Sequence, residues 1–209
     1  MTIQENPNDY TPDEPWAVDS EPGEHQYNAQ AIYVQEALGP GSGKCLVIGS
    51  PIFEAKALQF MGWNVTYCDV REPPVHFDTF LHGDATNIDF GANEFDAASS
   101  TCVLCHAGTG RYGDEKDDNA DEKILANVYR ALKPKARFVV MFGPVFNMQN
   151  TGMLNNVHRI YTLRDAVGIV GKFKIVAINI FDITTGKWTN KINNRQMMDC
   201  DYLSMVLEK

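Results

Sequence analysis

The chain has 209 residues, 44% hydrophobic and 22% charged, which suits one folded domain with a sizeable core rather than a disordered chain. No apolar run approaches the roughly 20 residues that span a bilayer, and the start MTIQENPNDY has neither the basic head nor the apolar middle of a secretory signal. A net charge of −9 disfavours nucleic acid as a partner, and five cysteines without metal-like pairing suit free thiols in a reducing cytoplasm.

Residues 1–25 read as an acidic arm. They hold Glu5, Asp9, Asp13, Glu14, Asp19, Glu21 and Glu24 and no Lys or Arg. Tyr10 and Trp16 are the arm's large apolar groups, able to anchor it over a cleft; otherwise it is a solvated tail. Residues 26–209 read as one domain. Ala29, Ile32, Tyr33, Val34 and Ala37 make a helical stripe that stops at Gly39-Pro40. Cys45 to Ile48 is a short apolar run bounded by glycines, the pattern of a buried parallel strand. A helix follows over 53–61, closed by Gly62, then strands over 65–68, 79–82 and 95–100. A polar loop leads to a helix over 118–132 with Ile124, Leu125, Val128 and Leu132 on one face. A strand over 137–142, a helix over 163–170 and strands over 173–181 and 202–207 complete the chain.

Alternating strands and helices predict parallel pairing through right-handed crossovers, whereas the last two strands, with no helix between them, predict an antiparallel pair. The expected fold is therefore α/β: Rossmann-like, doubly wound, with a mostly parallel seven-stranded sheet and an antiparallel C-terminal strand pair. Ligands in such sheets bind beyond the carboxyl ends of the strands. The first strand delivers Gly49-Ser50-Pro51 into a helix start, where bare backbone and free N–H donors face a ligand. The second ends at Asp69, a carboxylate able to accept both hydroxyls of a ribose. The third ends at Asp84, able to accept from an exocyclic amine. An Asp at a strand end is commonly a turn former or helix cap; three such features at successive strand ends point to a nucleoside-type cofactor.

These residues resemble the class I methyltransferases that use S-adenosylmethionine. Val47-Ile48-Gly49-Ser50, the acid closing Val65-Thr66-Tyr67-Cys68-Asp69, Gly83-Asp84-Ala85, Phe95-Asp96-Ala97 and Arg130-Ala131-Leu132-Lys133-Pro134 match that family's motifs in order. More narrowly, Ser99-Ser100, Gly110-Arg111-Tyr112-Gly113-Asp114 and His158-Arg159-Ile160-Tyr161 resemble a less characterised branch without a known substrate. The resemblance implies S-adenosylmethionine as cofactor, held by Gly49, Ser50, Asp69, Val70, Asp84, Ala85, Ser100 and Thr101. It departs from the pattern at Pro51, where a second glycine is usual, and at Lys135-Ala136, which replace the usual paired glycines, a harmless change at a surface turn.

The acceptor side falls after strands four and five. The loop 105–114 mixes glycines with His106, Arg111, Tyr112 and Asp114, so a mobile backbone can bring polar groups onto one ligand. His106 suits a general base and Arg111 a bidentate clamp on a carboxylate or phosphate; alternatively Arg111 and Asp114 pair and order the loop. His158 either closes over the acceptor with Arg159 and Tyr161 or caps the next helix. Cys102 and Cys105 have C-x-x-C spacing, but no second pair follows and no His pair has ligand spacing, so no metal is expected. The leading expectation is a methyltransferase for a small polar acceptor, a sugar or related metabolite. Pro51 and the acidic arm motivate a second, a Rossmann-like binding or scaffold protein without catalysis. A dinucleotide enzyme is disfavoured because G-x-G-x-x-G is absent.

Overall fold

A computed structural model describes residues 24–112, 114–144, 152–154, 158–182, 187–190 and 202–209. Nearly all of the acidic arm, Gly113 and most of the stretch 147–156 lie outside the described residues. Helix α1 (Glu24–Leu38) precedes β1 (Lys44–Ile48), α2 (Ile52–Phe60), β2 (Asn64–Asp69), β3 (Thr79–His82) and β4 (Phe95–Thr101). Then come α3 (Ala120–Ala131), β5 (Leu132–Pro144), β6 (Gly152–Leu154), β7 (His158–Ile160) and α4 (Leu163–Ile169). The chain ends with β8 (Lys174–Asp182), β9 (Lys187–Thr189) and β10 (Tyr202–Glu208). No helix among the described residues is long and apolar enough to cross a membrane.

One sheet runs β3-β2-β1-β4-β5-β10-β8-β9. The first five strands are parallel, and β10 lies antiparallel between β5 and β8. This is the expected architecture, with one more strand. Strand β9 pairs with β8 at the edge and is too short to show a period-2 pattern. It is held by packing: the Trp188 ring stacks on Tyr33 of α1 at 4.4 Å, and its Nε1 donates to Ala29 O at 3.1 Å. A β6–β7 ribbon, also unforeseen, stands apart from the main sheet.

The alternation of each central strand divides the core into two layers. Leu46, Ile48, Ala98, Phe138, Val140 and Phe142 pack with α3 and α4 on one face. Cys45, Val47, Val65, Tyr67, Val139 and Met141 pack with α1 and α2 on the other. Both faces of β1, β2 and β4 are thus buried, which explains their nearly continuous apolar runs.

The turn entering β5 corrects one expectation. Lys135 sits at φ +67°, a left-handed conformation that favours glycine, so replacing the usual glycine there carries strain. Its N–H donates to Lys209 O at 2.8 Å, which ties the turn to the end of β10. Lys135→Gly is expected to stabilise the protein by about 0.5–1 kcal/mol, the relief of strain exceeding glycine's greater unfolded-state entropy. Urea denaturation of the two proteins checks this.

Candidate active site

The sheet order reverses at β1, with β2 and β3 on one side and β4 and β5 on the other. At such a switch point the loops diverge and leave a crevice. A cleft of about 610 Å³ opens there, within the usual size range for small-molecule sites.

Gly49 forms its floor at φ +55°, its N–H donating to Cys68 O at 2.7 Å. A side chain at this position would meet Val103 Cγ2 at 2.7 Å, so both conformation and space call for glycine. Ser50 is tied down on three sides. Its Oγ accepts from Thr101 N at 2.9 Å and donates to Ile48 O at 3.3 Å, and its carbonyl accepts from Tyr67 Oη at 2.8 Å. Pro51 stands at the N-cap of α2, one position before its first residue, Ile52. It therefore removes no hydrogen bond from the helix.

Asp69 ends β2 and is buried. Its Oδ1 accepts from Arg71 N at 2.8 Å and faces Arg71 Nε at 3.4 Å. Its Oδ2 lies 3.4 Å from Tyr67 Oη, but that hydroxyl's one proton is better placed on Ser50 O. Burial, and next the charge of Asp69, push the Tyr67 phenol above its ordinary range, which keeps it a donor. Asp84 also lines the cleft, its Oδ1 accepting from Thr86 N at 2.8 Å in a local turn. Val70, Ala85 and Thr101 also line the cleft. Ser100 does not: one residue before Thr101 on a strand, it faces the opposite way, and its buried Oγ has no hydrogen-bond partner among the described residues.

Beneath this floor is a group that sequence reasoning missed. Glu54 of α2 is fully buried, accepting from Ser99 Oγ at 2.8 Å and Thr101 Oγ1 at 2.6 Å. Desolvation lifts its carboxyl from 4.5 to about 7, the two hydroxyl donors opposing the rise. A raised carboxyl pKa means that the folded state holds the proton more tightly than the unfolded chain does. Stability from this group is complete below about pH 4.5 and is lost as pH rises to about 7, by roughly 3 kcal/mol. Glu54→Gln is expected to abolish that part of the slope and to be the more stable protein at pH 8. Denaturant titrations at pH 5 and pH 8 measure both effects. An acid on the buried face of α2 between Ile52 and Leu58 is a weak signal by itself. Its partners lie 45 and 47 residues away.

The other end of the cleft is built by the loop after β4. Cys102 leaves the strand at φ +58°, rare for a residue other than glycine and a form of strain that clusters at functional sites. Gly108 turns the loop at φ +69°, where a Cβ would collide with Asp117 O. His106, Arg111, Tyr112 and Asp114 all line the cleft. Asp114 accepts from Gly110 N at 3.2 Å and Tyr112 N at 3.1 Å, so it orders the loop through backbone donors. The Tyr112 ring lies under Arg71 at 4.8 Å and Arg111 at 5.6 Å, joining the Asp69 side of the cleft to this loop.

His158 is brought to His106, the ring centroids 4.3 Å apart, but lies behind the cleft wall. It does not cap α4. Thr162 does, its Oγ1 accepting from Asp165 N at 3.2 Å within a capping box. Arg159, next to His158, is the bolt of the region. Its guanidinium donates to Asp118 O at 2.8 Å, Ala107 O at 3.2 Å and Asp117 O at 3.2 Å. Its Nε stands 3.4 Å from Asp121 Oδ2, an ion pair not aligned as a hydrogen bond. Tyr161 Oη donates to the same Asp121 oxygen at 2.7 Å. The HRIY segment is therefore tied to both flanks of the loop after β4, at residue 107 and at residues 117, 118 and 121. Cys105 completes the junction, its buried thiol pushed to about 12 by desolvation and donating to Cys102 O at 3.1 Å.

Residues 46–140, which include the floor, Asp69, Asp84 and the loop after β4, match a family model described as a methyltransferase domain. No curated protein matches the sequence. Among solved structures, the chain is similar to the Burkholderia thailandensis 1,6-didemethyltoxoflavin-N1-methyltransferase, solved with 1,6-didemethyltoxoflavin and S-adenosylhomocysteine. The identity is 19% and the TM-score 0.64, over 90% of this chain and 79% of that one. An S-adenosylmethionine-dependent methyltransferase from Mesorhizobium loti has 14% identity and a TM-score of 0.61, over 87% of this chain and 98% of that one. The [4+2]-cyclase SpnF has 14% identity and a TM-score of 0.67, over 93% and 85%. At these identities the likeness is one of fold, and a cyclase shares it; the reaction has to be argued from the site.

Proposed function

We propose that the chain is an S-adenosylmethionine-dependent methyltransferase acting on a small polar acceptor, a sugar or related metabolite. One observation carries the reading: Gly49, Asp69 and Asp84, from three successive strand ends, line one cleft together with His106, Arg111 and Tyr112. S-adenosylmethionine supplies an activated methyl group on a sulfonium. The chain's part is to bind, align and take up a proton. Asp69 accepts from the ribose hydroxyls through the capacity left on Oδ2. Asp84 accepts from the adenine amine, and the bare backbone at Gly49 lets the methionine part approach. At the other end His106 takes the proton of an acceptor hydroxyl or ammonium, and Arg111 clamps an anionic group of the acceptor. The mix of Lys56, Arg71 and Arg111 with Asp69, Asp84 and Asp114 around the cleft suits a polar ligand.

Titration calorimetry with S-adenosylmethionine and S-adenosylhomocysteine tests the reading. Saturable one-to-one heat with both is expected. Absence of binding by either would overturn it and favour a fold retained for another purpose.

A further inference from the structure

From the convergence of Cys105, His106 and His158 we infer a binding site for a zinc-class divalent cation at the acceptor end of the cleft. Sequence spacing cannot disclose it, because His158 reaches the loop after β4 only through the β6–β7 ribbon. In the folded chain one ligand atom from each residue lies within 4.8 Å of the other two. Tetrahedral zinc with one thiolate and two imidazoles sets its ligand atoms about 3.3–3.7 Å apart, so rotamer adjustment of about an ångström closes the set.

Three further features fit an ion there. The donor set of one sulfur and two ring nitrogens selects a borderline or soft divalent metal over magnesium or calcium. The backbone of the ligand segments is already fixed: Arg159 N donates to Cys105 O, and Tyr161 Oη lies 3.1 Å from Leu104 O. Such fixation beyond the ligands is what holds a metal site in register. Charge is also partly offset, since the nearby Arg159 is paired with Asp121, and thiolate formation cancels one of the ion's two charges. Binding displaces the thiol proton that otherwise goes to Cys102 O. Three protein ligands leave a fourth position, as in catalytic zinc sites. Because His106 also lines the cleft, the ion belongs to the wall against which the acceptor would rest, and with the ion bound the His106 ring is its ligand rather than the free base.

The test uses the full chain, freed of metal by chelator, titrated with Co²⁺ and followed by absorbance. The expected result is a one-to-one end point with a thiolate-to-cobalt charge-transfer band and the intense visible bands of four-coordination, reversed by Zn²⁺. Cys105→Ser should remove the charge-transfer band, and His158→Ala should weaken cobalt binding by at least about tenfold. Cys102→Ser should leave both intact. A titration without a stoichiometric end point, or a band that survives Cys105→Ser, overturns the site. If Cys105→Ser does not fold by circular dichroism, His106→Ala and His158→Ala decide: weakened binding supports the site and unchanged binding refutes it. None of these readings requires S-adenosylmethionine to bind, so failure here and failure of the methyltransferase reading are separate results.

Discussion

Replacing Asp69 with alanine is expected to weaken S-adenosylhomocysteine binding by roughly ten- to a hundredfold, the loss of hydrogen bonds to a charged acceptor. The carboxylate is buried and oriented before any ligand arrives, because Arg71 N and Nε fix Oδ1. Tyr67 directs its proton to Ser50, which leaves Oδ2 the capacity to accept ribose hydroxyls. Asp69→Asn should fall between wild type and alanine, since it keeps one acceptor oxygen and turns the other position into a donor. Calorimetry reads the affinities. Thermal melts without ligand separate lost contacts from lost folding, because Asp69→Ala also removes the Asp69–Arg71 ion pair.

Arg159→Met should cost about 3–5 kcal/mol of stability, since it leaves the Asp121 carboxylate buried without its ion-pair partner. For a chain of this size that corresponds to a melting point lowered by roughly 6–20 °C. Two causes are superposed, the stranded charge and the three carbonyls at 107, 117 and 118 that lose their shared donor. The double change Arg159→Met with Asp121→Asn distinguishes them. Recovery of most of the stability assigns the loss to the charge, whereas no recovery assigns it to the carbonyl tether. In either case the loop bearing His106 and Arg111 loses its anchor, so proteolysis should reach residues 106–114 sooner than in wild type.

These two expectations differ in how far they were foreseeable from the residues. Asp69 and Asp84 were legible because a strand's end is visible as the point where an apolar run stops, and the α/β pattern sets those ends side by side. The parallel order and the antiparallel final pair were legible for the same reason. Strand β9 was not, since Lys187–Thr189 is stabilised by Trp188 against α1 and has too few residues to carry a period. Glu54, Arg159 and the meeting of His106 with His158 depend on pairings across some 40 to 50 positions, which local pattern does not encode. Ser100, expected at the cofactor, does not line the cleft, because adjacent residues of a strand point oppositely and the serine pair Ser99-Ser100 gives no hint which way either side chain turns. His158 was weighed as a cap for α4, yet Thr162, with Asp165 three residues on, is the stronger capping signal.

The methyltransferase reading requires the glycine turn and the two strand-end carboxylates to hold adenosine in one crevice. A crystal structure of the chain with S-adenosylhomocysteine tests this most directly. The ribose should lie on Asp69, the adenine amine on Asp84, and the homocysteine sulfur should point towards His106 and Arg111. A ligand bound elsewhere, or with its ribose away from Asp69, would contradict the account.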